Sequence, residues 1–177
     1  MDGSPSPTLV LCTSASFYKK AVGVQAELAQ TGFRVVIPAV AEQMKVTGDY
    51  DVSHYKTWLA DPNDYAKKAQ LIHGHFDEIA AGDAVIVLNE KKNGTANYIG
   101  GNVLMEMAVA FHLRKPIFVI NDLPESTPYD EELRGLLPVV LHGKLKELPN
   151  LYQNAAQAAA QVPAISPLPT NNPRQLL

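Results

Sequence analysis

The chain has 177 residues, of which 46% are hydrophobic and 19% are charged, a balance that suits one globular domain with a sizeable core. Its formal net charge of -3 offers no basic surface to a nucleic-acid polymer, although a single nucleotide needs none. One cysteine, Cys12, excludes an internal disulfide, and no run approaches the roughly 20 apolar residues of a membrane helix. Because the first residues lack the basic and apolar parts of a signal peptide, we expect a cytoplasmic protein with no membrane partner.

The first part of the chain contains two predicted strands and the helix between them. Residues 8–12 (TLVLC) form a short apolar run, which is typical of a parallel strand covered on both faces. Ser14 or Ser16 can cap a helix that continues to about residue 30. Residues 33–38 then form the second strand.

Residues 39–62 carry only a weak periodic pattern. We interpret them as a long irregular segment that can contain one helical turn. Segments of this length without regular structure are uncommon unless they act as lids or as walls of binding sites. His54, Tyr55 and Trp58 are the residues of this segment that can form such a wall.

The rest of the chain alternates helices and strands. Pro62 can occupy the first position of a helix that ends before Gly82. Beyond it the pattern predicts strands at residues 83–88, 116–120 and 139–141, and helices at residues 102–113, 129–136 and 145–160. Such a chain folds as an α/β domain whose parallel strands are joined by right-handed crossovers, with helices on both faces of the sheet.

The domain is expected to span residues 8–161. It is preceded by a flexible N-terminal segment, residues 1–7, and followed by a C-terminal arm, residues 162–177. The arm carries four prolines with polar spacers, which is typical of extended or disordered segments.

One acid, Glu106, lies inside the apolar run of residues 103–111 (VLMEMAVAF). A charge in such a run is unfavourable unless it faces a cleft or has a partner. It follows the Gly100–Gly101 turn at the carboxyl end of a predicted strand, where open α/β sheets place their binding sites. We therefore predict a functional site at Glu106. The alternative is a helix acid that faces solvent or pairs with Arg114 or Lys115.

Two segments resemble the nucleoside 2-deoxyribosyltransferase family, which includes the deoxynucleoside 5-monophosphate N-glycosidases. Residues 82–88 (GDAVIVL) are similar to a family strand that begins with aspartate, and residues 105–110 (MEMAVA) are similar to the family's catalytic helix. The resemblance covers roughly residues 8–142. It implies a flavodoxin-like, doubly wound sheet of five parallel strands in the order 2-1-3-4-5.

The resemblance also implies a mechanism and a partner. Glu106 would attack C1′ of the sugar, release the base, and yield the sugar to water or to a second base. Asp83 would orient the base or the sugar, or supply protons to the leaving base. The partner is then a small-molecule nucleoside or nucleotide, and no separate cofactor is required. Because relatives complete their pockets with a neighbouring subunit, we expect a homo-oligomer.

Substrate contacts are expected from three parts of the chain. The residues are Ser14, Ser16, Tyr18, Asn89, Gly100, Gly101 and Asn102. The last three lie at the start of the helix that holds Glu106, where free N–H groups and the helix dipole can bind a 5′-phosphate. The first three lie in the loop after the first strand and can contact sugar or phosphate. Lys91 and Lys92 can also meet a phosphate, although adjacent lysines in a turn are commonly solvated.

The sequence departs from the family pattern in places that keep other functions open. Gly100 stands where the transferases have a second acid, and Met107–Ala108 replaces a Leu-Gly pair. The turn of residues 89–101 is longer than expected of the family. One alternative is a non-catalytic domain that binds a nucleotide or a nucleotide-derived sugar. Another is a phosphoribohydrolase that frees cytokinin bases, whose Pro-Gly-Gly-x-Gly-Thr-x-x-Glu motif is similar to residues 100–106.

Metal and dinucleotide sites receive no support from sequence motifs. His73 and His75 are two positions apart and thus lie on different faces of a helix, which argues against a pair of metal ligands. Gly100–Gly101 lacks the G-x-G-x-x-G spacing of a dinucleotide site. We therefore predict no metal.

Overall fold

A single parallel sheet organises the protein. The computed structural model describes residues 6–125 and 127–161, and its five strands lie in the order β2-β1-β3-β4-β5. The strands are β1 (Thr8–Thr13), β2 (Arg34–Val36), β3 (Ala84–Leu88), β4 (Ile117–Val119) and β5 (Val139–Val140). This order confirms the predicted flavodoxin-like α/β fold. The expectations for residues 1–5 and 162–177 concern parts of the chain outside the described residues.

Helices cover both faces of the sheet. They are α1 (Tyr18–Ala29), α2 (Ala39–Thr47), α3 (Tyr65–Ala81), α4 (Gly101–His112), α5 (Asp130–Gly135) and α6 (Leu148–Gln161). Within the described ranges, none of them combines the length and the apolar character that a membrane crossing requires.

The two faces of the sheet separate the core into two clusters. Successive residues of a strand point to opposite faces, so Leu9 and Leu11 of β1 pack with α1 and α6. Val10 and Cys12 of the same strand pack with α3 and α4. Cys12 therefore lies on the face whose helices carry His75 and Glu106.

The start of α1 differs from the prediction. A 3₁₀ turn, Ala15–Phe17, precedes the helix, and its N-cap residue Ser14 makes no capping hydrogen bond through its side chain. The residue before α1 is Phe17, which has no capping side chain, and Ser16 lies within the turn. The predicted serine cap is therefore wrong, because the extra turn moves the helix start beyond both serines.

The second correction concerns residues 39–62. Residues 39–47 form the regular helix α2, followed by 3₁₀ turns at Val52–His54, Thr57–Leu59 and Pro62–Asp64. The periodic signal was weak because only Ala41 and Met44 of α2 are buried. Gly48, in the left-handed conformation with φ of 73°, ends the helix and is the sequence signal that could have located it.

A small hairpin shapes the connection between β3 and α4. Lys92 and Thr95 exchange two backbone hydrogen bonds of 2.9 Å, and Asn93 and Gly94 have φ of 49° and 85°. An Asn-Gly pair suits such a turn because both residues tolerate positive φ. The hairpin holds Lys92 at a fixed place beside the loop that follows β1, where its Nζ donates to Ser14 Oγ over 2.9 Å.

Candidate functional site

A pocket with a volume of about 330 Å³ lies at the carboxyl edge of the sheet, where Thr13 ends β1 and Pro38 follows β2. Its walls come from the loop after β1, from α2 and the following 3₁₀ turns, from α3, from the hairpin, and from the start of α4. The volume is in the range of sites that bind small molecules. The carboxyl edge is also where parallel α/β sheets bind their ligands.

Glu106 lies in this pocket although its side chain is almost fully buried, with 4% of the residue surface exposed. Asn102, one turn earlier in α4, donates from Nδ2 to Glu106 Oε1 over 2.6 Å. Lys68 Nζ of α3 in turn donates to Asn102 Oδ1 over 2.8 Å. The second carboxylate oxygen, Oε2, is buried and has no hydrogen-bond partner among the described residues.

Several charges and hydrogen bonds act on the Glu106 carboxylate. Burial raises its pKa, because removal from water disfavours the charged form. Two effects oppose this shift and lower the pKa: the charges of His75 and Lys68, and hydrogen bonds with Cys12 and Asn102. Burial remains the larger effect, so the pKa is raised overall. The site therefore holds a carboxylate that is poorly solvated and still in contact with polar groups.

His75 is the second buried polar residue of the pocket, with 7% of its surface exposed. Its Nδ1 lies 2.8 Å from Glu78 Oε2, and its Nε2 lies 3.9 Å from Glu106 Oε1. Nε2 is buried without a hydrogen-bond partner in the described part of the chain. Cys12 of β1 lies next to His75 and Glu106. One ligand atom from each of these three residues lies within 4.8 Å of the other two.

Sequence reasoning missed His75, Glu78 and Cys12. The signal was present, since His75 falls in the apolar stripe of α3 between Ile72 and Ile79 at helical spacing. The argument that His73 and His75 do not form a pair of metal ligands still holds, because His73 is exposed on the other face of the helix. The partners of His75 come instead from β1 and α4, which no local motif could indicate.

Three lysines line the pocket and give it positive charge. Lys92 Nζ donates to Ser14 Oγ over 2.9 Å and lies 4.8 Å from the centre of the Tyr98 ring. Partial burial lowers the pKa of Lys92, and the charge of Lys56 lowers it further. Burial likewise lowers the pKa of Lys68, against the attraction of Glu106. Like charges held together in this way favour binding of an anionic group.

Aromatic rings supply the flat walls of the pocket. Tyr18, Tyr55, Trp58 and Tyr98 all line it. Lys68 Nζ lies 5.7 Å from the centre of the Trp58 ring, so cation and ring occupy neighbouring positions. Burial raises the pKa of the Tyr18 hydroxyl, which therefore stays protonated and can donate a hydrogen bond. The predicted wall thus includes Tyr55 and Trp58, whereas His54 pairs with Asp49 outside the pocket.

The start of α4 lies in the pocket as predicted for Gly100, Gly101 and Asn102. A side chain at Gly100 would place its Cβ 2.7 Å from the hydroxyl of Tyr98, whereas a Cβ at Gly101 would meet no atom within 4 Å. The glycine at position 100 therefore lets the Tyr98 ring pack against the helix start. A second acid could not occupy this position without moving that ring.

Three predicted site residues are not part of the pocket. Asp83 lies before the first residue of β3, at the amino edge of the sheet, where its Oδ2 accepts a 2.7 Å hydrogen bond from Thr8 N. The five residues of β3 separate it from the carboxyl edge. Ser16 is exposed and does not line the pocket, whereas Ser14 and Tyr18 of the same loop do.

Asn89 is the third of these residues, and its side chain is fully used by the fold. Its Nδ2 donates to Asp122 O over 2.7 Å and to Asn97 O over 3.4 Å, and its Oδ1 accepts from Asn121 N over 3.0 Å. The residue is completely buried and does not line the pocket. Asn89 therefore joins the carboxyl ends of β3 and β4 and is not placed to contact a substrate.

No protein-family model matches the sequence, and no curated protein matches it. Functional inference for this chain therefore depends on the geometry and chemistry of the pocket.

Proposed function

We propose that this protein cleaves or transfers at the N-glycosidic bond of a nucleoside, a deoxynucleoside or a nucleoside 5′-monophosphate, with Glu106 as the nucleophile. The supporting observation is a buried carboxylate in a pocket that also contains aromatic rings and lysines. These groups match the parts of a nucleotide. A carboxylate can attack the anomeric carbon, rings can stack on the base, and ammonium groups can bind a phosphate.

The proposed reaction has two displacements. A Glu106 carboxylate oxygen attacks C1′, the C1′–N bond breaks, and its electron pair leaves with the base, which takes up a proton. Water or a second base then attacks C1′ of the glycosyl ester and restores the carboxylate, and the attacking molecule gives up a proton. Because Asp83 lies at the opposite edge of the sheet, His75 replaces it in this proposal as the nearby group that exchanges protons.

Asn102 and Lys68 support this role of Glu106. The Asn102 amide fixes one carboxylate oxygen by a charge-assisted hydrogen bond and leaves Oε2 without a partner. Lys68 holds the amide from the other side. A nucleophile that is fixed in position and poorly solvated approaches the attack geometry with little further ordering.

Lys92 and the start of α4 support recognition of a 5′-phosphate. Ser14, Lys92, Gly100 and Gly101 all line the pocket, and α4 is a helix of 12 residues whose first N–H groups lack helical partners. The three lysines would be relieved of mutual repulsion by an anion. We therefore expect monophosphates to be better substrates than the corresponding nucleosides.

A second candidate is a non-catalytic domain that binds the same ligands. The observation that favours it is Gly100, which stands where the transferases have their second acid and which packs against Tyr98. In that case Glu106 would accept hydrogen bonds from sugar hydroxyl groups and would not form a covalent bond.

The deciding experiment measures release of free base from a panel of ribo- and deoxynucleosides and their 5′-monophosphates. Wild type is compared with Glu106→Gln, which keeps the shape of the side chain and removes its charge. Glu27→Gln removes the same charge from an exposed position on α1 and serves as the matched control. All assays include a chelator so that metal ions do not contribute.

We expect base release by wild type and by Glu27→Gln, and its loss in Glu106→Gln. If no compound on the panel loses its base, yet monophosphates raise the melting temperature of the protein, the catalytic proposal is wrong. The second candidate, a non-catalytic binding domain, is then supported. Base release that persists in Glu106→Gln would exclude this residue as the nucleophile.

A homo-oligomer is also part of the proposal. Leu104, Ala108 and Phe111 follow one face of α4, and Phe111 remains 49% exposed. We expect light scattering to give the mass of an oligomer for wild type and of a monomer for Phe111→Glu. Val46→Glu, at an exposed position of α2, should leave the mass unchanged.

A further inference from the structure

Three side chains, two that line the pocket and one directly behind them, converge from distant parts of the chain. Cys12 comes from β1, His75 from α3 and Glu106 from α4, and at most 7% of any of them is exposed. One sulfur, one imidazole nitrogen and one carboxylate oxygen lie within 4.8 Å of one another. Such a set of donor atoms is unusual in an apolar core, where polar groups are normally paired with each other.

Two of the possible metal-ligand atoms are buried and have no hydrogen-bond partner among the described residues. His75 Nε2 and Glu106 Oε2 make no hydrogen bond to any described residue. Glu78 Oε2 lies 2.8 Å from His75 Nδ1, which places the proton of a neutral imidazole on Nδ1 and turns the Nε2 lone pair inward. A proton on Nε2 would not give this nitrogen a hydrogen bond to Glu106 Oε1, because the two atoms are 3.9 Å apart. A cation that binds between these groups would satisfy both unpaired atoms.

The donor types indicate which cation fits. A thiolate, an imidazole and a carboxylate together suit Zn²⁺, whereas Mg²⁺ and Ca²⁺ prefer oxygen ligands alone. Zinc-bound imidazoles commonly donate their other N–H to a carboxylate, as His75 does to Glu78. The carboxylate ligand is itself fixed by Asn102, which donates to Glu106 Oε1.

We propose that Cys12 Sγ, His75 Nε2 and the Glu106 carboxylate bind one Zn²⁺ ion. Three protein ligands leave the fourth tetrahedral position open, and His75 and Glu106 both line the pocket, so that position faces the ligand cavity. When the ion binds, the Cys12 thiol gives its proton to the solvent and the sulfur coordinates as thiolate. Sequence spacing could not reveal the site, because its ligands come from three separate elements.

Metal binding changes what Glu106 can do. A carboxylate that coordinates Zn²⁺ is not free to attack C1′, so the zinc-bound form would be inactive in base release. This consequence depends on the proposed function, whereas the metal site itself does not. The two can therefore be tested separately.

The test uses Co²⁺ as a spectroscopic probe. The full-length protein is freed of metal with a chelator, which is then removed, and Co²⁺ is added in small steps. We expect one Co²⁺ per chain, a near-ultraviolet charge-transfer band from the thiolate, and visible bands of a tetrahedral ion. One equivalent of Zn²⁺ should displace the Co²⁺, and elemental analysis should find one zinc per chain.

Variants identify the ligands. Cys12→Ser should lose the charge-transfer band, and His75→Ala, which loses a direct ligand, should bind the ion at least about 10-fold more weakly. Glu78→Gln should weaken binding about 10- to 100-fold, because Glu78 only orients the imidazole. His73→Ala is the matched control on the same helix and should bind as wild type does. Circular dichroism verifies the fold of each variant. If Cys12→Ser does not fold, the charge-transfer band of wild type and the affinity of His75→Ala test the site instead.

Three results would overturn the site: no stoichiometric binding by wild type, a band that persists in Cys12→Ser, or binding lost only in His73→Ala.

The base-release assay separates the two proposals. If the metal-free protein releases base and one equivalent of Zn²⁺ abolishes this activity, both proposals are supported. A Co²⁺ band without any base release from metal-free protein would support the metal site and refute Glu106 catalysis. Base release that Zn²⁺ does not affect, in a protein that gives no Co²⁺ band, would refute the metal site alone.

Discussion

Asn102 connects the two charged residues Lys68 and Glu106, since its Nδ2 donates to Glu106 Oε1 over 2.6 Å and its Oδ1 accepts from Lys68 Nζ over 2.8 Å. The amide is held in one orientation by these two contacts, because only its nitrogen can donate to the carboxylate. Asn102 therefore orients the Glu106 carboxylate in the pocket.

The first prediction is that Asn102→Ala reduces kcat/KM for base release by roughly 10- to 100-fold. A hydrogen bond to a charged group contributes about 1.5 to 3 kcal/mol, and its loss frees the carboxylate to rotate. Asn102→Asp should be less active still, because it places a second negative charge beside Glu106. Steady-state kinetics with the best monophosphate measures both, and wild-type activity of Asn102→Ala would show that the hydrogen bond does not position Glu106.

The second prediction concerns phosphate recognition by Lys92. Lys92→Met should raise KM for a nucleoside 5′-monophosphate about 10- to 100-fold and leave KM for the corresponding nucleoside nearly unchanged, because a charge-assisted contact to phosphate is lost. Lys91→Met alters the neighbouring lysine, which is exposed and does not line the pocket, and should behave as wild type. A change of the same size for nucleoside and monophosphate would contradict a phosphate contact.

The third prediction compares two adjacent glycines. Gly100→Ala should weaken ligand binding, because the new Cβ would lie 2.7 Å from the Tyr98 hydroxyl and 3.1 Å from its ring. Gly101→Ala should bind normally, since no atom lies within 4 Å of that Cβ. Thermal shift with monophosphate measures both variants. Removal of the hydroxyl in the double variant Gly100→Ala/Tyr98→Phe should restore part of the shift, and weaker binding in that variant than in Gly100→Ala would argue against the steric explanation.

The fourth prediction separates a structural from a substrate-binding role of Asn89. Asn89→Ala should lower the free energy of unfolding by about 2 to 4 kcal/mol, because the backbone groups of Asp122, Asn97 and Asn121 lose their partner at a buried side chain. Asn154→Ala, on the exposed face of α6, should change it by about 0.5 kcal/mol or less. Urea unfolding measures both. An unchanged stability together with a raised KM would restore Asn89 as a substrate ligand.

Much of the fold could be predicted because its signals are local. The strands are continuous apolar runs bounded by Gly, Pro and polar residues, and α3 and α4 have apolar stripes at helical spacing. The helix α2 was not predicted because its buried stripe is narrow. Asp83 was predicted to act on the substrate, although it precedes its strand. A residue that precedes a parallel strand lies at the amino edge, away from the ligands.

The candidate site divides in the same way. The sequence alone indicated Glu106, because a single acid in an apolar helix after a glycine turn conflicts with simple core packing, and it indicated the glycine-bearing start of that helix. Only the tertiary structure brought Cys12, His75 and Glu78 to the same place and removed Asp83 and Asn89 from it. Periodicity determines which face of each element is buried, whereas contacts between β1, α3 and α4 depend on how the sheet and helices pack across 94 positions of sequence, from residue 12 to residue 106. Chemistry that needs side chains from all three elements is therefore decided by packing.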